Sequence, residues 1–157
     1  MFINGFDILW DEIDDYVADI QSIRSIDQFM FTKPVTFFCG ENGSGKSTLL
    51  EALAIKNGLN PEGGTRNYNF STYDSYSNLH KHMRLWRSRK PDWMYFLRAE
   101  SFYNVATKEM EYSGVFSERY HDQSHGQSFF SVLMKQTNKN GLYLLDEPEA
   151  ALSCQNQ

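Results

Sequence analysis

The chain has 157 residues, 41% of them hydrophobic and 22% charged, and a formal net charge of −5. That is one domain's length with enough apolar side chains to bury a core, and the 15% aromatic share argues against disorder. The acidic balance gives little non-specific pull toward nucleic acid or anionic membranes, although a local basic patch is compatible with it. Cys39 and Cys154 stand apart, without the spacing of a disulfide framework or zinc ribbon, and reduced thiols fit a cytoplasmic protein. The first ten residues lack a basic segment and lead into Asp11, Glu12, Asp14 and Asp15, unlike a signal peptide. No apolar run approaches the ~20 residues that span a bilayer.

In chain order, residues 23–31 are rich in branched and aromatic types and predict a strand. Pro34 breaks the chain. Residues 35–39 (VTFFC) form an apolar run of the kind found in a strand buried on both faces. A glycine-rich loop follows, and Leu49, Leu50, Leu53 and Ala54 then recur at helical spacing over 46–56. Glycine, proline and asparagine make 58–69 a loop. Leu79, Met83 and Trp86 predict a helix over 77–89, closed by Pro91. Residues 93–97 (WMYFL) predict a second buried strand, 104–114 a helix then a turn, 126–138 a helix, and 142–145 (LYLL) a third buried strand. Strands alternating with helices predict an α/β fold with a mainly parallel sheet flanked by helices. The chain reads as one domain over 1–157. Its core is 1–58 and 139–157, with 70–138 an inserted helical region.

Gly40-Glu41-Asn42-Gly43-Ser44-Gly45-Lys46-Ser47 fits G-x-x-x-x-G-K-[ST]. Its four fixed positions coincide by chance in about one such chain in a hundred, and here the pattern also follows an apolar run and opens a helix. Glycines allow backbone conformations that turn successive N–H groups inward as an anion-binding nest. The start of the next helix adds its positive dipole end at the same place. In such a P-loop Lys46 reaches the β- and γ-phosphates and the Ser47 hydroxyl ligates Mg2+, with Thr48 completing the segment.

The third buried run ends in Asp146-Glu147. An apolar strand ending in two carboxylates is a weak signal by itself. After a P-loop it becomes the Walker B arrangement, with Asp146 holding Mg2+ opposite Ser47 and Glu147 orienting or deprotonating the attacking water. Adjacent strand positions face opposite ways, so the two carboxylates can do different work.

GENGSGKSTLLEALA, then SHGQS, then LYLLDEPEAALS, in that order, resembles the ABC-type ATPases. Among these the chain is most similar to the soluble, AAA-labelled bacterial predicted ATPases related to chromosome-maintenance and DNA-repair ATPases. The resemblance runs from about Val17 onward. It implies a P-loop NTPase fold, ATP and Mg2+ as ligands, and ATP hydrolysis. It further implies that Ser124, Gly126 and Gln127 of SHGQS contact the γ-phosphate held by a second subunit, so that ATP drives a homodimer. His125 stands where the family's signature has a glycine. Residues 147–152 resemble the loop after Walker B. The family's glutamine after the preceding strand is missing, and Glu100 is the candidate to replace it. The resemblance also implies an incomplete member ending after that loop, without the switch histidine, and therefore weak hydrolysis. The alternatives are an ATP-binding subunit of a membrane transporter and a nucleotide-binding remnant.

Other residues carry less. His80 and His82, and His121 and His125, lack a third ligand for a metal site. Cys39 reads as a small apolar group packed in its strand. Lys81, Arg84 and Arg87 fall along one side of the helix expected over 77–89, where a solvated face is the plain reading and a nucleic-acid contact the sharper one. Arg66 is within reach of a phosphate on sequence grounds alone.

Overall fold

A computed structural model describes residues 1–66, 76–101, 134, 137 and 140–150 of the chain. Strand β1 (Ile3–Ile8) lies between β2 (Gln28–Met30) and β3 (Met83–Arg87), antiparallel to both. Two single-turn 3-10 segments, Trp10–Glu12 and Tyr16–Asp19, and the short helix α1 (Gln21–Arg24) connect β1 to β2. Helix α2 (Lys46–Lys56) follows the glycine-rich loop, and α3 (Leu79–His82) leads straight into β3. Strands β4 (Trp93–Arg98) and β5 (Gly141–Asp146) run parallel in register, Trp93 beside Gly141 and Arg98 beside Asp146. Gly64 exchanges both backbone hydrogen bonds with Phe96 on the other side of β4, at 2.7 and 3.0 Å. The fold is thus mixed α/β. Among the described residues the parallel sheet expected from sequence is represented by β4 and β5, and the other three strands are antiparallel.

The core gathers where these layers meet. Phe6, at the centre of β1, stacks on Phe29 with ring centroids 5.5 Å apart, and Phe96, Tyr95 and Leu97 bury β4 on both faces. Leu49, Ala52, Leu53 and Ala54 turn one side of α2 into the same apolar mass as Leu79, Met83 and Leu144. Gly5 is required by the close approach of its neighbours, because a side chain there would run into the Phe29 carbonyl and the Trp86 ring.

The helix over 46–56, the loop through residue 66 and the buried strand at 93–97 form as expected; the strand at 142–145 forms too, but of its four residues only Leu144 is buried. Three expectations are corrected. Residues 23–31 are not one strand: Ile23 belongs to α1, and only Gln28–Met30 pairs with β1. Branched side chains suit either state, and the polar break at Ser25 and Asp27 separates the two elements.

Residues 35–39 form no strand. Phe38 turns inward onto Phe29 at 5.6 Å, whereas Val35 is 68% and Phe37 83% exposed. A strand needs a partner, and none of the described residues pairs with this segment. Cys39, expected to pack in that strand, is exposed.

The helix expected over 77–89 ends at His82. Leu79 and Met83 are both buried, as four-residue spacing requires. From Met83 onward, however, the open edge of β1 accepts the chain, with Ile8 beside Met83 and Phe6 beside Leu85. Lys81 therefore sits on α3 while Arg84 and Arg87 sit on β3, so the three do not form one helical stripe.

Asp7 on β1 clamps this pairing. It accepts hydrogen bonds from Arg84 Nε at 3.0 Å, Arg84 Nη2 at 2.6 Å and Trp86 Nε1 at 2.6 Å. The Arg84 hydrogen bond holds its carboxyl below the ordinary value, with the Trp86 hydrogen bond assisting against the opposing effect of burial. A carboxyl depressed in the folded state stabilises above its unfolded value and loses that contribution as pH falls through the folded one. Asp7→Asn should therefore lower the melting temperature at neutral pH and flatten its decline on acidification. Thermal melts from pH 7 to pH 2 check this, and parallel curves for the two proteins would remove Asp7 from the acid response.

Candidate functional site

The glycine-rich loop joins residue 40 to α2. Gly43 has φ 82° and Gly45 φ 81°, a region that side chains disfavour. Gly45 also rests on Ile23 and Ile20, leaving no room for a Cβ. The Ser22 hydroxyl donates to the Ser44 carbonyl at 2.6 Å, so α1 grips the loop from beneath. Lys46 folds back across it, and its Nζ donates to the carbonyls of Gly40 at 3.0 Å and Glu41 at 2.9 Å. The loop is thus curled, with a cation across its mouth. Helix α2 begins directly behind it, so first-turn N–H groups without intrahelical partners and the positive dipole end share that place.

Ser47, in the first turn of α2, meets Asp146 at the end of β5. Its hydroxyl donates to Asp146 Oδ1 at 2.9 Å, across 99 positions of sequence. Asp146 is buried. The next residue, Glu147, has φ 48°, an uncommon conformation for a side chain of its size. It turns the chain sharply off the strand and places Glu147 on a cleft of about 310 Å3. Asn42, Gly43, Gly45, Lys46, Ser47 and Thr48 line that cleft together with Tyr16 and Ile20.

The expected site residues therefore largely converge. Gly40, Glu41 and Ser44 belong to the loop's frame, Gly40 and Glu41 through the carbonyls that hold Lys46. Ser124, Gly126 and Gln127 lie outside the described residues, as do the helix and turn expected over 104–114 and, apart from Met134 and Thr137, the helix over 126–138. Glu100 is not among the residues that line the cleft; its side chain is 82% exposed and pairs with Arg98 Nη2 at 3.4 Å. The Arg66 guanidinium lies over Gly58.

Tyr16, Ile20, Glu51 and Arg98 were not singled out from sequence. Arg98 Nη1 donates to Glu51 Oε2 at 2.8 Å, and Arg98 Nε lies 3.6 Å from Asp146 Oδ2. Burial pushes the Glu51 carboxyl above its ordinary value, and Arg98 draws it back. The signal for Glu51 was its position four residues after Ser47, on the same side of α2. Tyr16 and Arg98 carry no local signature, because only the folded chain brings them here.

The donors suit a polyphosphate and a hard cation. Backbone N–H groups and a lysine suit phosphate oxygens, and a serine hydroxyl touching a carboxylate supplies the oxygen pair that Mg2+ takes alongside water. Residues 18–83 match the family model of an AAA domain. The match takes in α1, the glycine-rich loop and α2, and it supports an AAA-type P-loop nucleotide-binding protein. AAA domains are in general ATPases that use ATP with Mg2+. No curated protein and no solved structure gives a significant match to the chain. Among the described residues no helix is long and apolar enough to cross a membrane, and no group of three or more His, Cys, Asp or Glu side chains forms a separate metal site.

Proposed function

We propose that the chain binds ATP with Mg2+ in the cleft between the glycine-rich loop and Glu147, and hydrolyses it. The observation that carries this reading is the 2.9 Å contact between Ser47 and Asp146. It brings together the two side chains that this reading assigns to the metal, which lie 99 positions apart in sequence. Loop N–H groups and the start of α2 would hold the phosphates. Lys46 would exchange its loop carbonyls for phosphate oxygens. Ser47 and Asp146 would hold Mg2+, which when bound supplies positive charge against the phosphate oxygens. Tyr16, which lines the cleft, would offer an aromatic face to the base, and Glu147 would take a proton from, or orient, the attacking water. In the ABC-type form of this reading, Ser124, Gly126 and Gln127 of a second copy close over the γ-phosphate, which the sequence resemblance alone supports.

Lys46→Ala tests the nucleotide site. Loss of a charge-assisted contact of about 1.5–3 kcal/mol weakens binding about 10- to 150-fold. Titration of a fluorescent ATP analogue against both proteins measures this. Equal affinities, with the variant folded, would remove the loop from nucleotide binding.

A further inference from the structure

Four side chains link α2 to the ends of β4 and β5. Ser47 and Glu51 stand four residues apart on α2, so both face the sheet. Arg98 and Asp146 are register partners at the last positions of the parallel strands. Ser47 donates to Asp146 Oδ1 at 2.9 Å, and Arg98 donates to Glu51 Oε2 at 2.8 Å. The remaining side is an ion pair, with Arg98 Nε 3.6 Å from Asp146 Oδ2. Glu51, Asp146 and most of Arg98 are withdrawn from solvent, which strengthens these interactions and raises the cost of losing one.

We propose that Arg98 is a positioning residue for the metal-binding carboxylate, anchored by Glu51 and acting on Asp146; this rests on the nucleotide reading above. An aspartate at a strand end can turn about its own Cβ–Cγ bond. Ser47 fixes one oxygen. Arg98 draws the other to the opposite side, so that Oδ1 stays directed at the serine. The guanidinium holds that place because Glu51 binds its Nη1 and the Pro61 carbonyl lies 3.4 Å from the same nitrogen. Its Nε is buried and among the described residues has no hydrogen-bond partner; it lies 3.6 Å from Asp146 Oδ2. Glu51 descends from the helix that carries Ser47, so the closed circuit sets both metal-facing oxygens relative to one another.

A purely structural role makes a different prediction. If Arg98 only neutralises buried Glu51, removing both charges together restores function. If Arg98 positions Asp146, the double variant folds and still handles the metal poorly. The experiment measures affinity for a non-hydrolysable ATP analogue in EDTA and in saturating Mg2+, and takes the ratio. Glu51→Gln/Arg98→Gln should bind as the wild type does in EDTA but lose Mg2+-dependent tightening about 10- to 100-fold, the range for partners that orient metal ligands. Full tightening in that variant overturns the proposal.

Should the double variant not fold, Arg98→Lys decides. A single ammonium cannot span Glu51 and Asp146 as a guanidinium does, so the same loss supports the role and undiminished tightening overturns it. A wild type that binds the analogue equally with and without Mg2+ overturns the Arg98 role and leaves nucleotide binding standing. A wild type that binds no analogue in either condition overturns both.

Discussion

Glu147→Gln is expected to lower ATP turnover about 10²- to 10⁴-fold, the usual contribution of a positioned general base, with nucleotide affinity unchanged. The amide keeps the size of the carboxylate but does not take up a proton. Glu147→Gly separates this chemistry from the backbone. At φ 48° a glycine avoids the contact between Cβ and the following carbonyl oxygen, so this variant should be more stable by about 1 kcal/mol. It should also lose turnover as completely as the glutamine variant. Stability and activity then move in opposite directions at one position, as expected where strain is retained to aim a functional side chain. Phosphate release and denaturant unfolding of the three proteins measure both effects. Near-normal turnover by Glu147→Gln would remove Glu147 as the base. A destabilised Glu147→Gly would show that the positive φ stores no strain.

The parts of the site legible in the sequence were those encoded locally. Gly43 and Gly45 sit at positive φ because the turn demands it, and that demand is visible in residue types alone. The strand ending in Asp146 could be read because an apolar run stops abruptly at two charges. What lay out of reach depends on partners. Residues 35–39 have strand composition, but pairing is a property of two segments. The 77–89 segment met a helical spacing at Leu79 and Met83 that both helix and strand satisfied, and the edge of β1 decided the outcome. Arg98 stood in plain view at the end of its strand. Its meaning appears only when β4 lies beside β5, because that register sets it against Asp146. Tyr16 reaches the cleft only through the turn that precedes α1, which no periodicity announces.

Gly45→Ala should be the most disruptive single methyl in the loop, and its cost divides into two measurable parts. At φ 81° a left-handed backbone costs an ordinary residue about 1–2 kcal/mol. The added Cβ would also stand 2.5 Å from Ile23 Cδ1 and 2.8 Å from Ile23 Cγ1. Overpacking of that kind costs about 1–3 kcal/mol. The sum, about 2–5 kcal/mol, is a large share of the 5–15 kcal/mol that holds a typical domain folded. Ile23→Val removes Cδ1 and with it the closest contact, leaving the backbone part untouched. In Ile23→Val/Gly45→Ala the alanine should therefore cost less than it does alone, by about 1 kcal/mol or more. Nucleotide affinity should stay low in both, because the altered backbone turns loop N–H groups away from the phosphates whether or not the side chain fits. Urea unfolding of the four proteins in the cycle gives the coupling, and analogue titration gives the affinities. Strict additivity would show that Ile23 yields freely and that the backbone alone demands glycine. Wild-type affinity in Gly45→Ala would show that the loop holds phosphate without the curl that Gly45 allows.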